Sequence, residues 1–295
     1  MTRRSDAAVG LALGAALAAV RVLPRSLARG LGAGLGGLAR DPLALRRAVA
    51  DQNLAIAFPE LAPRERAAIG RRMYAHFGRM AADTLHFAAA GPAALIPLVD
   101  GEEAMRFLRD LLGRGRGILV LTGHLGNWEL AGAWMNALGV SPAAVVKPPT
   151  SRLAARYAEA TRRRLGIETI PMTEARSGVL AALREARPVA LVADQSPIHG
   201  STWVPFFGRP TKTPEGPGLF AARSGAPVVF GAMIAEPGGR FRLSVDVLDE
   251  EPRGETREVI ERIATRYRAR LEQEIRKVPE QYLWTHRLWR RKPPA

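Results

Sequence analysis

The stretch Gly123-His124-Leu125-Gly126-Asn127-Trp128-Glu129 places an imidazole and a carboxylate five residues apart. On one continuous helix that spacing is poor, because side chains sharing a face are three or four residues apart. It works if His124 stands in a turn and Glu129 in the first turn of the helix that follows. Gly123 and Gly126 permit a tight bend there, and Asn127 can cap the helix. A histidine so placed can take a proton near neutral pH, and a carboxylate beside it can fix its tautomer and stabilise the charged ring. The helix N-terminus adds unpaired backbone donors, suited to a developing oxyanion or a phosphate. The plainer alternative is a hydrogen-bonded histidine at a strand end, with Glu129 an ordinary first-turn acid.

Other chemistries lack their residues. The sequence has no G-x-S-x-G elbow, no H-E-x-x-H, no G-x-x-x-x-G-K-[ST] and no cysteine. Thiolate zinc sites, disulfides and cysteine-bound intermediates are therefore excluded, and no metal site is expected. The run Gly32–Gly37 reads GAGLGG, formally G-x-G-x-x-G. No strand precedes it and no acid follows at the right distance, so it is not a dinucleotide site. What remains natural for a histidine–acid pair is direct attack by an acceptor hydroxyl on an activated acyl group.

The flanking pattern predicts the frame that positions these groups. From Asp41 to Phe87 apolar residues recur every three or four positions, and Glu102–Leu112 continues as a helix. The period then changes. Gly117–Thr122, Ala143–Val146, Ile167–Ile170, Val189–Ala193, Pro227–Ile234 and Phe241–Leu248 read as strands. Helices alternate with them over Asn127–Leu138, Ser151–Leu165 and Ser177–Ala186, and Thr256–Lys277 is a long closing helix. Such alternation predicts an α/β fold with a largely parallel central sheet flanked by helices, behind a helical N-terminal region. In open α/β sheets the site lies beyond the carboxyl ends of the strands. His124, Lys147 and Asp194 each follow a predicted strand and so emerge on that edge.

The 295 residues carry 43 Lys+Arg against 28 Asp+Glu, a net charge of +15, and only four of the cations are lysines. Arginine suits phosphate, and the excess calls for anionic company: nucleic acid, anionic lipid or an acidic carrier. The uncharged run Ala7–Val20, flanked by Arg3, Arg4, Arg21, Arg25 and Arg29, is short for a membrane span and rich in Ala and Gly. It reads as an interfacial segment, with a marginal span or a cleaved signal as alternatives. The division expected is 1–40 as a membrane-associating segment and 41–295 as a single α/β domain, helical over 41–113 and sheet-containing over 114–295. Near the C-terminus, Trp284 and Trp289 among Arg287, Arg290, Arg291 and Lys292 suit either a headgroup belt or core packing.

The segment GHLGNWELAG resembles the H-x4-[DE] motif of the bacterial lipid A biosynthesis acyltransferases, the lauroyl and myristoyl transferases of the lysophospholipid acyltransferase superfamily. NLAIAFPEL at Asn53–Leu61, VADQSP at Val192–Pro197, VPFFGRPTKTPEGPGLFAARSGAPVV at Val204–Val229 and PEQYLWTHRLWRR at Pro279–Arg291 are similar to the same family, in the same order. The resemblance implies a glycerolipid-acyltransferase-like fold and an O-acyltransferase with no cofactor. Its co-substrate would be an acyl carrier protein or coenzyme A thioester, and its acceptor a lipid A precursor or another lysophospholipid or glycolipid. It implies His124 as general base, Glu129 as the motif acid, and Asp194 where some relatives carry the relay partner. Both acids stand at this stage. Asn127, Lys147, Arg156 and Arg164 are the implied substrate-binding residues, with the register uncertain within Arg162-Arg163-Arg164. Lys147-Pro148 departs from the family's Arg-Pro, which bears on the acceptor rather than on the chemistry. A monomer on the cytoplasmic face of a bacterial inner membrane, peripheral or singly anchored, with anionic lipids as partners, completes the expectation. The competing class is a basic nucleic-acid-binding or membrane scaffold protein without catalysis. The charge permits it, but the cations are scattered and no binding module is recognised, so no nucleic acid is expected.

Overall fold

Strands that are apolar on both sides must be covered on both sides, and this rule shapes the molecule. The structure is a computed structural model that describes residues 23–289 apart from 148, 150, 198 and 199. Leu119 and Leu121 point into one core with Val189, Leu191 and Phe230, while Ile118 joins Val229 and Met233 in a second core behind the sheet.

Helices α1 (Arg25–Arg40), α2 (Arg47–Ala57) and α3 (Pro63–Ala90) precede the sheet. The remaining elements run β1 (Val99–Asp100), α4 (Glu102–Leu112), β2 (Ile118–Thr122), α5 (Trp128–Ala137), β3 (Ala143–Val146), α6 (Arg152–Arg164), β4 (Glu168–Pro171) and α7 (Ala175–Arg184). They continue with β5 (Pro188–Val192), β6 (Ser201–Phe206), β7 (Arg209–Pro214), α8 (Gly216–Ser224), β8 (Val228–Ala235), β9 (Phe241–Asp249) and α9 (Thr256–Lys277). Seven strands form one sheet in the order β1-β9-β8-β2-β5-β3-β4, and β6 pairs with β7 in a separate antiparallel hairpin. The pairs β2/β5, β2/β8, β3/β5 and β3/β4 are parallel, and β9 runs antiparallel to β8. The fold is thus α/β and largely parallel.

The local reasons are ordinary. Ser151 caps α6 by accepting from Ala154 N, and Pro63 sits at the start of α3, where a missing N–H costs nothing. The hairpin β6–β7 and helix α8 are absent from the sequence-level reading. Three prolines in the hairpin strands (Pro205, Pro210, Pro214) mask their β pattern. Of the two readings of the C-terminus, packing is the one observed. Trp284 is fully buried and donates to Pro279 O at 2.7 Å, and Trp289 donates to Thr211 Oγ1 at 2.9 Å. Both rings pack against Phe207, so neither forms a headgroup belt. Among the described residues no helix is long and apolar enough to cross a membrane. The run Ala7–Val20 lies outside the described residues.

Candidate active site

The register of β2 against β5 decides where the reactive groups meet. Thr122 is paired with Val192, so His124 and Asp194 each stand two residues beyond the same rung, on the carboxyl edge of adjacent strands. Ala193 N donates to Thr122 O at 3.0 Å, and His124 N donates to Asp194 Oδ2 at 3.0 Å, which continues the ladder past the strand ends. The side chains then close the ring: His124 Nδ1 lies 2.8 Å from Asp194 Oδ1. An ionised carboxylate only accepts, so the Nδ1 proton points at Asp194 and the Nε2 lone pair is left for another partner.

The turn carrying His124 is clamped on every side. Gly126 N donates to Gln281 O, Asn127 N to Met233 O and Leu283 N to His124 O, at 3.0, 2.8 and 3.0 Å. Gly126 has φ +63°, and a Cβ there would collide with the Met233 carbonyl oxygen. Only glycine lets the chain pass so close to β8 in that conformation. Trp128 meets the His124 ring edge to face at 4.9 Å, and Phe77 of α3 packs on Trp128 at 6.2 Å. The imidazole keeps 22% of its surface in contact with solvent, while Asp194 keeps 3%. The acid is therefore sealed and the base is accessible.

Electrostatics follow from that asymmetry. Burial pushes the His124 imidazole down, but the charge and hydrogen bond of Asp194, with Glu129 further out, outweigh it and hold the ring above its ordinary 6.5. Burial pushes Asp194 up, yet the charge and two hydrogen bonds of His124, helped by Arg268, bring it down to about 2. His76, behind the turn with Nε2 3.3 Å from Gly126 O, is driven by burial to about 4 and stays neutral.

The other expected site residues separate. Glu129 does not bond to His124: Arg162 of α6 grips both its oxygens, with Nη2 at 2.6 Å from Oε1 and Nε at 3.0 Å from Oε2. Asn127 is 1% exposed and serves as the cap of α5, with its side-chain oxygen accepting from Leu130 N at 3.2 Å and its amide near Thr84 Oγ1 at 3.3 Å. Its side-chain oxygen and amide are both engaged within the protein. Lys147, Arg156 and Arg164 are exposed, and among the described residues none is hydrogen-bonded toward His124. Arg156 and Arg164 fall on the solvent side of α6. Arg162, two residues before Arg164, faces inward and is the arginine that reaches the motif.

Residues that the sequence reading missed form the support. Tyr267 of α9 is buried and donates to Thr122 O at 2.6 Å. Arg268, also fully buried, donates to Thr213 Oγ1 at 2.8 Å and Lys212 O at 3.1 Å. Tyr282 is fully buried, and burial together with the charge of Asp194 pushes its phenol well above the ordinary 10, while the Gln195 amide lies 3.4 Å from each imidazole nitrogen. A buried arginine inside a helix rich in exposed arginines gives no periodic signal that would single it out. The same helix carries five further arginines (Arg257, Arg262, Arg266, Arg270 and Arg276).

The largely parallel seven-stranded sheet, its flanking helices and the helical N-terminal region are compatible with the α/β acyltransferase class. More particularly, the chain belongs to the family described as bacterial lipid A biosynthesis acyltransferase, whose family model matches residues 5–291. It is similar to the Escherichia coli lipid A biosynthesis palmitoleoyltransferase, 28% identical over 87% of this chain and 82% of that protein. It is also similar to the phosphatidylinositol mannoside acyltransferase of Mycolicibacterium smegmatis, 32% identical over 124 residues. That match spans 40% of the length of each protein. A Mycobacterium tuberculosis phosphatidylinositol mannoside acyltransferase is 31% identical over 122 residues, 38% of its length.

Proposed function

We propose that this protein transfers a fatty acyl group from an acyl thioester to a hydroxyl of a membrane lipid, with His124 as general base and Asp194 as its partner. The observation that carries the reading is the 2.8 Å contact between His124 Nδ1 and a carboxylate that is itself almost wholly buried. It fixes the tautomer that leaves Nε2 free to accept a proton.

In this mechanism Nε2 takes the hydroxyl proton as the acceptor oxygen attacks the thioester carbonyl, forming the C–O bond and an oxyanion. The tetrahedral centre collapses with loss of the C–S bond, and the imidazolium returns its proton to the departing thiolate. Ester and free thiol are the products, and Asp194 stays ionised throughout. Among the described residues the first-turn N–H groups of Trp128 and Glu129 have no backbone acceptor, which suits them to the oxyanion. Glu129, held by Arg162, shapes that helix end rather than relaying protons.

The acceptor proposed is a lipid A precursor, supported by the extent of the match to the E. coli enzyme. The mycobacterial relatives favour a second acceptor, a mannosylated phosphatidylinositol, because their identity is higher although over a shorter stretch. The donor is acyl carrier protein or coenzyme A thioester. Both are anionic, and a chain of net charge +15 attracts them. The reading places the protein at the cytoplasmic face of the inner membrane, with 1–40 as the membrane-associating part and 41–295 as the catalytic domain. The test is transfer of a labelled acyl chain to extracted lipids, followed by mass spectrometry of the product. Transfer that survives His124→Ala undiminished would overturn the mechanism.

A further inference from the structure

Among the described residues four acidic side chains are buried: Asp83, Asp194, Asp249 and Glu274. A charge taken out of water must be met by one of the opposite sign, because desolvation is otherwise too costly. Three of the four have an arginine within ion-pair distance. Asp83 is held by Arg25 and Arg29, Asp249 by Arg262, and Glu274 by Arg242 and Arg270. Asp194 has only the His124 imidazole, which must be neutral before it can accept a proton.

The buried cations mirror this. Among the described residues two arginines are buried, Arg40 and Arg268. Arg40 meets Asp41 and Asp51. Arg268 meets no carboxylate within ion-pair distance among the described residues: Nε donates to Thr213 Oγ1, Nη2 donates to Lys212 O, and Nη1 is sealed from solvent without an acceptor. A hydroxyl, a carbonyl and the face of the Phe206 ring, 4.8 Å away, do not offset a full desolvated charge. One buried anion and one buried cation are left over in the same molecule.

Helix α9 brings the two together. Tyr267, the residue before Arg268, donates to Thr122 O. Leu271, one turn further on, lies so close to Gly123 that a Cβ there would meet Leu271 Cδ1 at 2.9 Å and Asp194 Cβ at 3.5 Å. The inner face of α9 thus runs beneath the two strand ends that carry the dyad. Phe206, which takes the guanidinium on its face, also packs on Tyr282 at 6.5 Å. Arg268 is among the charges that bring the Asp194 carboxyl down to about 2. The other titratable groups around the dyad are otherwise engaged or uncharged. Glu129 is bound by Arg162, His76 of α3 is neutral, and burial pushes His286 below its ordinary 6.5. Burial drives the phenols of Tyr267 and Tyr282 well above 10, so both carry no charge. Further out, Arg46 donates to Thr285 O, Lys212 lies over the Trp203 ring, and Glu272 is paired with Arg276.

We infer that Arg268 is a positioning residue, the buried counter-ion of Asp194, and that it sets the pH at which His124 can act as a base; this rests on the dyad of the acyltransferase reading and adds a third charge to it. A lone buried carboxylate attracts the imidazolium strongly and holds the ring protonated. A carboxylate that already faces a guanidinium attracts it less. Arg268 thereby keeps Asp194 ionised while the imidazole gains and loses its proton, and it keeps neutral His124 within reach near neutral pH. The guanidinium acts through Asp194 and touches no reacting atom.

Titration of the full protein by NMR with labelled histidine reads this without substrate, and His124→Ala identifies the His124 signal among the five histidines. Arg268→Met keeps much of the bulk and removes the charge. It should move the His124 titration up by about one unit, and the rising limb of kcat/KM should move with it. Arg268→Lys restores the charge and should bring both back toward the wild-type position. Thr213→Val removes the acceptor of Nε but no charge, so it should lower the melting temperature and leave the titration in place. An unmoved titration in folded Arg268→Met would overturn the proposal, and so would equal shifts in Arg268→Met and Thr213→Val. If Arg268→Met alone does not fold, Asp194→Asn/Arg268→Met should fold, because it leaves neither charge buried and unpaired. A double variant that also stays unfolded would overturn the pairing. The titrations hold whether or not His124 carries out the transfer, which loss of activity in His124→Ala tests separately.

Discussion

Arg162 and Glu129, thirty-three residues apart in sequence, form a two-pronged ion pair that takes the H-x4-E carboxylate away from its histidine. The two side chains retain 22 and 16% of their exposure, so the pair is partly shielded and stronger than a surface contact. Removing either partner leaves the other charge half-buried and uncompensated. Arg162→Gln and Glu129→Gln should therefore destabilise by similar amounts, about 1–3 kcal/mol each. A double-mutant cycle read by denaturant unfolding should give a coupling of about 1 kcal/mol or more. A cycle between Glu129 and His124 should give less. Equal coupling in the two cycles would show that Glu129 serves the histidine directly.

The Gly126 turn makes a sharper stability prediction. An alanine there must hold φ +63° and must also move away from the Met233 carbonyl oxygen. Backbone strain of this kind costs about 1–3 kcal/mol before the collision is added. Gly126→Ala should lower the melting temperature by several degrees or more and reduce activity with it, since His124 is two residues away. A variant of unchanged melting temperature and activity would mean that the turn is not held as described.

Protonation of the dyad should appear in two separate pH ranges. The folded state holds His124 above 6.5, so it favours the imidazolium. That contribution to stability is complete below the ordinary histidine value and fades as pH rises through the native one. Asp194 is shifted the other way, from 3.8 to about 2. Its contribution is complete above the ordinary carboxylate value and is lost as pH falls toward 2. Catalysis needs neutral His124, so kcat/KM should rise with pH through an apparent value above 6.5. Asp194→Asn removes the group that raises the imidazole, and the remaining activity should titrate at lower pH. A profile that does not move in Asp194→Asn would contradict the assignment.

Tyr267 offers a test of the support beneath the site. Its hydroxyl donates to Thr122 O, the carbonyl that also accepts from Ala193 N. Tyr267→Phe removes one hydrogen bond while keeping the ring, and should cost about 1 kcal/mol in unfolding free energy. Little change in KM is expected, because the hydroxyl is buried away from the mouth. A large KM effect with unchanged stability would place Tyr267 at the substrate instead.

What could be read from sequence depended on periodicity. The strands around His124 and Asp194 are short apolar runs closed by polar turns, so both their existence and the edge at which they end were legible. Their exact partnership was not. Glu129 is close in sequence and Asp194 is seventy residues away, and only the register Thr122–Val192 shows that the distant acid is the neighbour. The arginine run of α6 shows the same limit from the other side. Three successive arginines carry no mark of which one faces inward, and packing of α6 selects Arg162 over Arg164. The exposed leucine face of α1 (Leu27, Leu31, Leu35 and Leu38) was invisible for a different reason. Its helix packs by glycines and hides its charges, which inverts the pattern that sequence reading relies on.

The most direct test compares acyl transfer to lipid by the wild type, His124→Ala, Asp194→Asn and Glu129→Gln, with folding of each checked by its melting temperature. His124→Ala and Asp194→Asn should each lose about a hundredfold or more in kcat, the scale of general-base catalysis, while Glu129→Gln loses far less. If Asp194→Asn transferred at nearly the wild-type rate while Glu129→Gln was inactive and still folded, the proton relay would run through the other acid.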